Sequence, residues 1–183
     1  MRKANMQRAF TWFESGPVTL ITSSRGGRDD IMTISWQMVM DFTPHIAITT
    51  GPWNESYHRI IDTKECVICV PGVDLIDQAI RIGTTSGSAV DKFSENSLTK
   101  LPAETVNAPL IGECLACLEC RLADVISAYG ILIFEGTQLW ENPDRTEKRC
   151  FHANGDGTFF ADGESYNRRE DMRQWVPEGC ERL

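Results

Sequence analysis

Apolar and β-branched residues cluster in several stretches of the first half of the chain, and these stretches are predicted to be β-strands. Residues 17–24 (PVTLITSS) are rich in β-branched side chains, and a turn with the sequence RGGRDD follows them. Residues 44–50 (PHIAITT) form another predicted strand. Between them, a period of two predicts a single strand over residues 31–40, with Thr33 and Ser35 on its partly polar face. Its core face carries the larger apolar side chains, Met32, Ile34, Trp36, Met38 and Met40.

Two short amphipathic helices are predicted between the strands. The first runs from Asn54, a favourable N-cap residue, to Lys64, with apolar side chains at helical spacing. A strand over residues 66–70 (CVICV) then leads to the second helix, which Asp74 caps and Gly83 ends.

The second half of the chain adds further strands. Residues 84–108 are mostly polar and too long for a plain connector, which is typical of a binding loop or a partner-facing arm. Residues 113–126 and 130–141 predict two long strands, and the charged tail from residue 142 contains a hairpin-like segment, GDGTFFADGE. Strands outnumber helices and follow one another along the chain. A mainly β fold is therefore predicted, an antiparallel barrel with short peripheral helices.

Composition narrows the class of protein. A chain of 183 residues with 42% hydrophobic residues fits one globular domain. The net charge of -8 argues against binding to nucleic acid or to a membrane surface. With no apolar stretch of membrane-spanning length and no convincing secretory signal, a cytoplasmic protein is expected. The seven cysteines are an odd number and several lie in apolar strands, so buried free thiols are expected rather than a disulfide framework.

The segment TTGPWNESYHRII, residues 49–61, is the first candidate for chemistry. The first amides of a helix that begins after Asn54 lack intrahelical partners and favour an anion such as phosphate. Ser56 could add a hydroxyl donor there. An ordinary capped helix after a Gly-Pro turn explains the same residues, and Glu55 would place a negative charge beside the anion. The hydroxyls of the 31–40 strand are equally compatible with a ligand and with a solvated strand face.

The order and spacing of four segments carry a resemblance to a known family. These segments are GPVTLITS, IMTISW, PHIAITTGPWNESYHRIIDTKECVICVP and APLIGECLACLECRL. Together they resemble the flavin reductase-like family with the FMN-binding split barrel, and the flavoredoxin-type branch is the most similar. The likeness covers roughly residues 10–163 of a single domain, 1–183, with the charged tail outside it. It implies a homodimeric antiparallel split β-barrel that holds one FMN per subunit near the dimer interface.

The resemblance also implies which residues would hold FMN. The isoalloxazine ring would lie along the strand Met32, Thr33, Ile34, Ser35 and Trp36. The ring and ribityl chain would lie beside Thr49, Thr50 and Gly51, and the phosphate would meet Asn54, Ser56 and His58. No catalytic acid or base is required, because the flavin itself carries the redox chemistry.

Two departures from the family pattern bear on function. Many relatives carry Lys or Arg where this chain has Asn54, so the phosphate charge must be neutralised elsewhere, with Arg59, Arg81 and Lys92 as unranked candidates. Relatives that use nicotinamide often carry Gly-Asp-His where this chain reads Tyr129-Gly130-Ile131. Direct reduction by NAD(P)H is therefore in question, and a ferredoxin-like protein donor is favoured.

Three functions remain open from the sequence. The first is an FMN-dependent oxidoreductase that reduces flavin or another small acceptor. The second is a flavoredoxin-like electron carrier without a small substrate, and the third is a barrel that has lost its flavin and merely dimerises. His152 lies in a segment that is similar to one of the flavoredoxin branch and is expected near the flavin, at the docking site of the electron partner, or in a turn. G-x-S-x-G and Rossmann G-x-G-x-x-G motifs are absent from the sequence.

The cysteine spacing invites a metal-site interpretation that the predicted strands disfavour. Cys114, Cys117 and Cys120 are three residues apart, but zinc and iron–sulfur sites normally use four ligands in turn-rich loops. On a strand, Cys114 and Cys120 would share one face and Cys117 would lie on the other. Cys66 and Cys69 would likewise point to opposite faces, unlike a thioredoxin motif. Packing roles are favoured.

Overall fold

The computed structural model describes residues 1–181, and antiparallel strands are its main elements. The strands are β1 (Arg2–Ala4), β2 (Thr19–Arg25), β3 (Arg28–Ile34), β4 (Gln37–Val39), β5 (His45–Thr49), β6 (Glu65–Val70), β7 (Lys100–Leu101), β8 (Leu110–Ile111), β9 (Ala116–Ile126), β10 (Ile131–Glu141), β11 (Phe151–Ala153) and β12 (Phe159–Ala161). The helices are α1 (Glu55–Thr63), α2 (Ile76–Thr84), α3 (Lys92–Glu95) and α4 (Arg169–Met172), with a 3₁₀ helix at Met6–Trp12.

Most strands belong to one sheet that curls on itself. Its order is β3-β2-β6-β9-β10-β5-β4, and β1 pairs with the end of β10. Strands β3 and β4 lie at opposite ends of this order, yet only Ser35 and Trp36 separate them in the chain. Three Cα–Cα steps span at most about 11 Å, so the two ends of the sheet must approach each other there. The predicted mainly β, antiparallel split barrel with short peripheral helices is confirmed.

Strand β6 lies at the centre of the core because both of its faces are buried. Ile68 packs in a cluster that draws side chains from six strands and fills the concave side of the sheet. Val67 faces the opposite side, where α2, α3 and the loops around β7 and β8 cover the sheet. The second cluster therefore fixes α2 and α3 against β3, which borders the candidate site.

The prediction of one continuous strand over residues 31–40 is wrong. The chain leaves β3 after Ile34 and starts β4 at Gln37, on the far end of the sheet. The apolar alternation continues through this break, but its second half faces solvent: Trp36, Met38 and Met40 are all exposed. A period of two indicates extended backbone and does not identify what covers the apolar face.

The two main helices test the predicted caps. Asn54 caps α1 by accepting a hydrogen bond from the Ser56 amide, as predicted. Asp74 does not cap α2, because its carboxylate pairs with Arg145 and α2 begins at Ile76. Gly83 does not end the helix either, since α2 continues to Thr84.

Six of the seven cysteines are buried as free thiols, as expected. Cys66 and Cys69 point into different core clusters, as predicted, and lie opposite Cys120 and Cys117 on β9. The predicted shared face of Cys114 and Cys120 is wrong, because β9 begins only at Ala116 and Cys114 packs with Cys117 instead. Burial raises the pKa of the Cys66 and Cys69 thiols, which suits a packing role.

Candidate functional site

A cavity of about 330 Å³ lies between the start of α1, the end of α2 and β3. Its walls are Met32 and Thr33 from β3, the segment 53–55 at the start of α1, the segment 82–87 at the end of α2, and Lys92. The size is that of a small-molecule site. Its lining includes four hydroxyl side chains, Lys92 and the carboxylate of Glu55.

A second cavity of about 310 Å³ adjoins the first and shares Thr33, Gly83 and Thr84 as a common wall. Ser35 lies on its floor, and the β11–β12 hairpin contributes Phe151 and Phe159. Within residues 1–181, no charged side chain lines it. The arrangement therefore joins a polar cavity that carries charge to a neutral, mostly apolar one.

A larger cavity of about 820 Å³ lies elsewhere, between Phe10 and the C-terminal segment 168–181. None of the residues predicted to hold a cofactor lines it. Size alone is a poor guide here, since a site is identified by the chemistry of its walls.

The start of α1 has fewer free amides than the sequence suggests. The Asn54 amide donates to the Gly51 carbonyl at 3.0 Å, and the Tyr57 amide donates to the Asn54 carbonyl at 3.1 Å. The Ser56 amide donates to Asn54 Oδ1 at 3.2 Å. Three of the amides at this helix start are thus engaged locally, so an anion at this end of the cavity needs other donors.

A buried polar network lies behind the cavity wall. The Ser56 hydroxyl donates to Asp30 Oδ2 at 2.7 Å, and the Lys92 ammonium lies 3.6 Å from Asp30 Oδ1. Lys92 also donates to the carbonyl of Ile31 at 2.6 Å. All three side chains are almost fully buried. Burial lowers the pKa of the Lys92 ammonium, and the carboxylate of Asp30 partly offsets this.

The formal charges around the cavity cancel. Arg59, behind the wall, lies 3.3 Å from Glu55 and donates to the Arg28 carbonyl. Lys92 is paired with Asp30. Of the three candidate neutralising residues, Lys92 lines the cavity, Arg59 lies behind it, and Arg81 is exposed and donates to Asn96.

The residues predicted to hold a cofactor are distributed unevenly around these cavities. Met32, Thr33 and Asn54 line the first cavity, and Thr33 and Ser35 line the second. The Thr33 hydroxyl already donates to the Ala79 carbonyl at 2.6 Å, which fixes β3 to α2. Their roles toward a cofactor remain predictions.

Other predicted residues lie beside the cavities rather than on their walls. Thr49 is half-buried, and its amide donates to the carbonyl of the exposed Trp36. The Thr50 hydroxyl is buried without a hydrogen-bond partner in residues 1–181, which leaves a polar group for a ligand to satisfy. Gly51 lies beneath the ring of Trp53, where a Cβ atom would overlap with the indole.

Three further predicted residues point away from cavity space. Ile34 packs in the core. The Ser56 hydroxyl is directed to Asp30, and His58 is exposed with Nε2 at 3.0 Å from the Pro52 carbonyl oxygen.

Two parts of the site were missed by the sequence reasoning. One is Trp53, which lines the first cavity and covers Gly51. The other is the segment Thr84–Gly87, the last residue of α2 and the turn after it, which brings three hydroxyl side chains and a glycine to the start of α1. The available signal was the polar composition of residues 84–108, but its position beside α1 depends on tertiary contacts.

His152 has a structural role in the hairpin and does not line either cavity. It is buried, with Nδ1 at 3.1 Å from the Gly16 carbonyl oxygen and Nε2 at 2.9 Å from Asp162 Oδ1. Its ring stacks on Phe160 with a centroid distance of 4.8 Å. These contacts hold the β11–β12 hairpin against the chain before β2.

Over residues 1–181, no helix combines the length and apolar character that crossing a bilayer requires. The same residues contain no group of three His, Cys, Asp or Glu side chains arranged to hold a metal ion.

Comparison with known proteins gives a family and a fold. The family model described as flavin reductase like domain matches residues 13–159. An uncharacterised protein of Archaeoglobus fulgidus is 29% identical over 113 residues, which are 61% of this chain and 64% of that protein. Protein YddH of Escherichia coli K12, also uncharacterised, is 32% identical over 117 residues, 62% of each chain. The matched segments span less than two thirds of these relatives.

Solved structures share the architecture. An FMN-binding domain of a flavin reductases-like enzyme from Shewanella baltica OS155 superposes with a TM-score of 0.83 at 23% identity, covering 90% of this chain and 95% of that one. Flavoredoxin of Desulfovibrio vulgaris (Miyazaki F) gives 0.76 at 25% identity, with coverage of 84% and 90%. Nitrilotriacetate monooxygenase component B from Mycobacterium thermoresistibile gives 0.71 at 18% identity, with coverage of 91% and 92%.

Proposed function

Because the chain belongs to the flavin reductase-like domain family, we propose that it binds FMN across the two adjoining cavities and transfers electrons through it. The observation that carries this proposal is that Thr33 lies on the shared wall of two cavities of different chemistry. On one side lie Lys92 and the hydroxyls of the turn after α2, and on the other side lies a neutral cavity with aromatic walls.

The cavity chemistry fits the two ends of FMN. The phosphate would lie in the first cavity, between the start of α1 and the turn after α2, and Lys92 would hold it. The ring would lie along Thr33 and Ser35, whose side chains both reach the second cavity. The hydroxyl-lined strand would orient the ring, and Trp53 would close the site from solvent.

FMN and the protein would have different roles in this site. FMN, when bound, supplies the electron-transfer chemistry, and the protein supplies orientation and a controlled polarity. Neither cavity has a histidine on its wall, and Lys92 and Glu55 are the only titratable side chains among their lining residues. The chain is therefore suited to holding a flavin rather than to general acid–base catalysis.

Two functions are consistent with FMN binding, and they differ in the electron donor. The first is an FMN-dependent oxidoreductase that reduces flavin or another small acceptor, with NAD(P)H as donor. The second is a flavoredoxin-like carrier that receives electrons from a ferredoxin-like protein. The second is favoured by the segment 129–131, where Tyr129-Gly130-Ile131, with Tyr129 exposed, stands in place of the Gly-Asp-His associated with nicotinamide use. The structural likeness to a flavoredoxin is consistent with it.

We also infer a homodimer. Five large apolar side chains are exposed around the start of β4 and the start of α1, namely Trp36, Met38, Met40, Phe42 and Trp53. Exposed apolar patches of this kind mark interaction surfaces. A second copy of the chain packed on this surface would cover Trp53 and the side of the first cavity that Trp53 lines.

The spectrum of the purified protein tests flavin binding. FMN added to the flavin-free protein should bind with quenched fluorescence and a shifted visible absorbance. A protein whose spectrum does not change after FMN addition would contradict the proposal.

Stopped-flow reduction then separates the two functions. Rapid bleaching by NADH or NADPH supports the oxidoreductase, and bleaching only by a reduced ferredoxin supports the carrier.

A further inference from the structure

The phosphate end of the first cavity has no surplus of positive charge. Two charged side chains lie on the wall, Lys92 and Glu55. Behind them lie Asp30, which pairs with Lys92, and Arg59, which lies 3.3 Å from Glu55. Arg25, on β2, approaches Glu55 only at 3.7 Å and is also bound to Asp62 at the surface. The formal charges of the four inner groups sum to zero.

Asp30 is the most deeply buried of these groups. It is 1% exposed, and Oδ1 has no hydrogen-bond donor among residues 1–181. Its other oxygen accepts from the Ser56 hydroxyl. The turn after α2 covers it, because a side chain at Gly87 would overlap with Oδ1. Water therefore screens its negative charge poorly, and the charge acts on the adjacent cavity.

A phosphate monoester changes charge in the physiological range. It carries one negative charge below pH of about 6 and approaches two above it. The Lys92 ammonium has three N–H donors and gives one to the Ile31 carbonyl, so it can satisfy one negative charge by hydrogen bonding. The second charge would find no uncompensated cation and would face the buried carboxylate of Asp30, and like charges in a poorly solvated site repel strongly.

We propose that Asp30 is a positioning and specificity residue that makes this site select the singly charged form of the FMN phosphate. It holds Lys92 and Ser56 in place and opposes the doubly charged form. This inference rests on the proposed binding of FMN in the first cavity. It implies that FMN binding is coupled to the uptake of one proton at neutral pH, whereas riboflavin, which lacks the phosphate, binds without this coupling.

The sign and size of the effect follow from linkage. If only the singly charged phosphate binds, the competent fraction falls tenfold per pH unit well above the second phosphate pKa. Between pH 6 and pH 8 the Kd for FMN should therefore rise about 50-fold, with a phosphate pKa of about 6. Over the same range the Kd for riboflavin should change by less than about twofold, since its tail is uncharged.

Fluorescence titrations of the full chain with FMN and with riboflavin from pH 6 to pH 8 test the proposal. In Asp30→Asn, the rise in the FMN Kd should shrink to below about fivefold, because the opposing charge is gone. Asp29→Asn is the matched control. It removes the neighbouring carboxylate, which pairs with Lys100 instead, and should keep the full rise.

The possible outcomes are distinct. An FMN Kd that does not change with pH in the natural chain overturns the inference while leaving FMN binding intact. If the FMN Kd rises more steeply with pH in Asp30→Asn than in the natural chain, the inference is also overturned, because Lys92 would then be the titrating group. If neither flavin binds at any pH, the proposed function fails instead. Should Asp30→Asn not fold, as judged by lost riboflavin binding, Glu55→Gln removes the carboxylate on the wall and should likewise reduce the rise.

Discussion

Gly87 lies directly against the buried carboxylate of Asp30, so closely that a Cβ atom at position 87 would overlap with Oδ1. This contact seats the turn after α2 on the polar network behind the first cavity. Asp30 in turn accepts from Ser56 and pairs with Lys92. The shape of the first cavity therefore depends on the absence of a side chain at residue 87.

Gly87→Ala should displace the turn after α2 and weaken FMN binding. Forcing a methyl group into a packed site costs about 1–3 kcal/mol of folding free energy. Urea unfolding would measure this loss, and fluorescence titration would measure the change in FMN affinity. Gly163→Ala is the control, since a Cβ there meets nothing within 4 Å. If Gly87→Ala and Gly163→Ala had the same free energy of unfolding and the same affinity for FMN, the packing argument would be contradicted.

Lys92→Met should weaken FMN binding selectively. A hydrogen bond to a charged group contributes about 1.5–3 kcal/mol, so the Kd for FMN should rise at least about tenfold, while the Kd for riboflavin should hardly change. The variant also leaves Asp30 buried without its cation, which is destabilising.

The double variant Lys92→Met with Asp30→Asn separates these two effects. Its free energy of unfolding should return toward that of the natural chain, whereas its Kd for FMN at pH 6 should stay raised. Lys100→Met is the control, because Lys100 pairs with Asp29 in a partly exposed position and such pairs contribute little. A loss of riboflavin affinity equal to that of FMN would count against Lys92 as the phosphate ligand.

Glu119 should be a strong determinant of stability although it lies outside the site. Its fully buried carboxylate accepts from the amides of Glu104 and Thr105, the Thr105 hydroxyl and Trp140 Nε1. These bonds fasten the loop before β8 onto β9. Glu119→Gln should lower the free energy of unfolding by about 1–3 kcal/mol, because an amide cannot accept all of them. Glu135→Gln, at an exposed position on β10, should change it by less than about 0.5 kcal/mol.

The same carboxylate gives an expected pH dependence. Burial acts to raise the pKa of Glu119, but the hydrogen bonds from Thr105, Glu104 and Trp140 outweigh it and hold the pKa below its ordinary value. A group with a depressed pKa in the folded state stabilises above its unfolded pKa, and this contribution is lost as pH falls through the folded value. The stability difference between the natural chain and Glu119→Gln should thus be largest at neutral pH and shrink below pH of about 4. A constant difference down to pH 3 would contradict this.

Met38→Glu should disrupt the proposed homodimer. Met38 is exposed on β4, between the exposed side chains of Trp36 and Met40 in the same alternation. A charge buried in an interface without a partner is strongly unfavourable. Light scattering after size-exclusion chromatography should report a monomer for this variant. Met172→Glu, an exposed methionine on α4, is the control and should leave the mass unchanged.

Several elements followed from local sequence, because their determinants lie within a few residues. Strand-like apolar runs located β2, β5, β9 and β10, and the cap residue Asn54 located the start of α1. The buried free cysteines followed from their positions in apolar strands. Thr33 was assigned to a site through the family resemblance, and it lies on the wall that the two cavities share.

The tertiary structure decided what covers each surface and which charges meet. The sequence pattern is the same at Met32 and Met38, yet one is buried and the other exposed, because the chain crosses from one end of the sheet to the other between them. Lys92, Asp30 and the start of α1 are remote in sequence and meet only when α3 packs on β3. Local propensity reports backbone conformation, whereas burial and electrostatic pairing depend on contacts between distant segments.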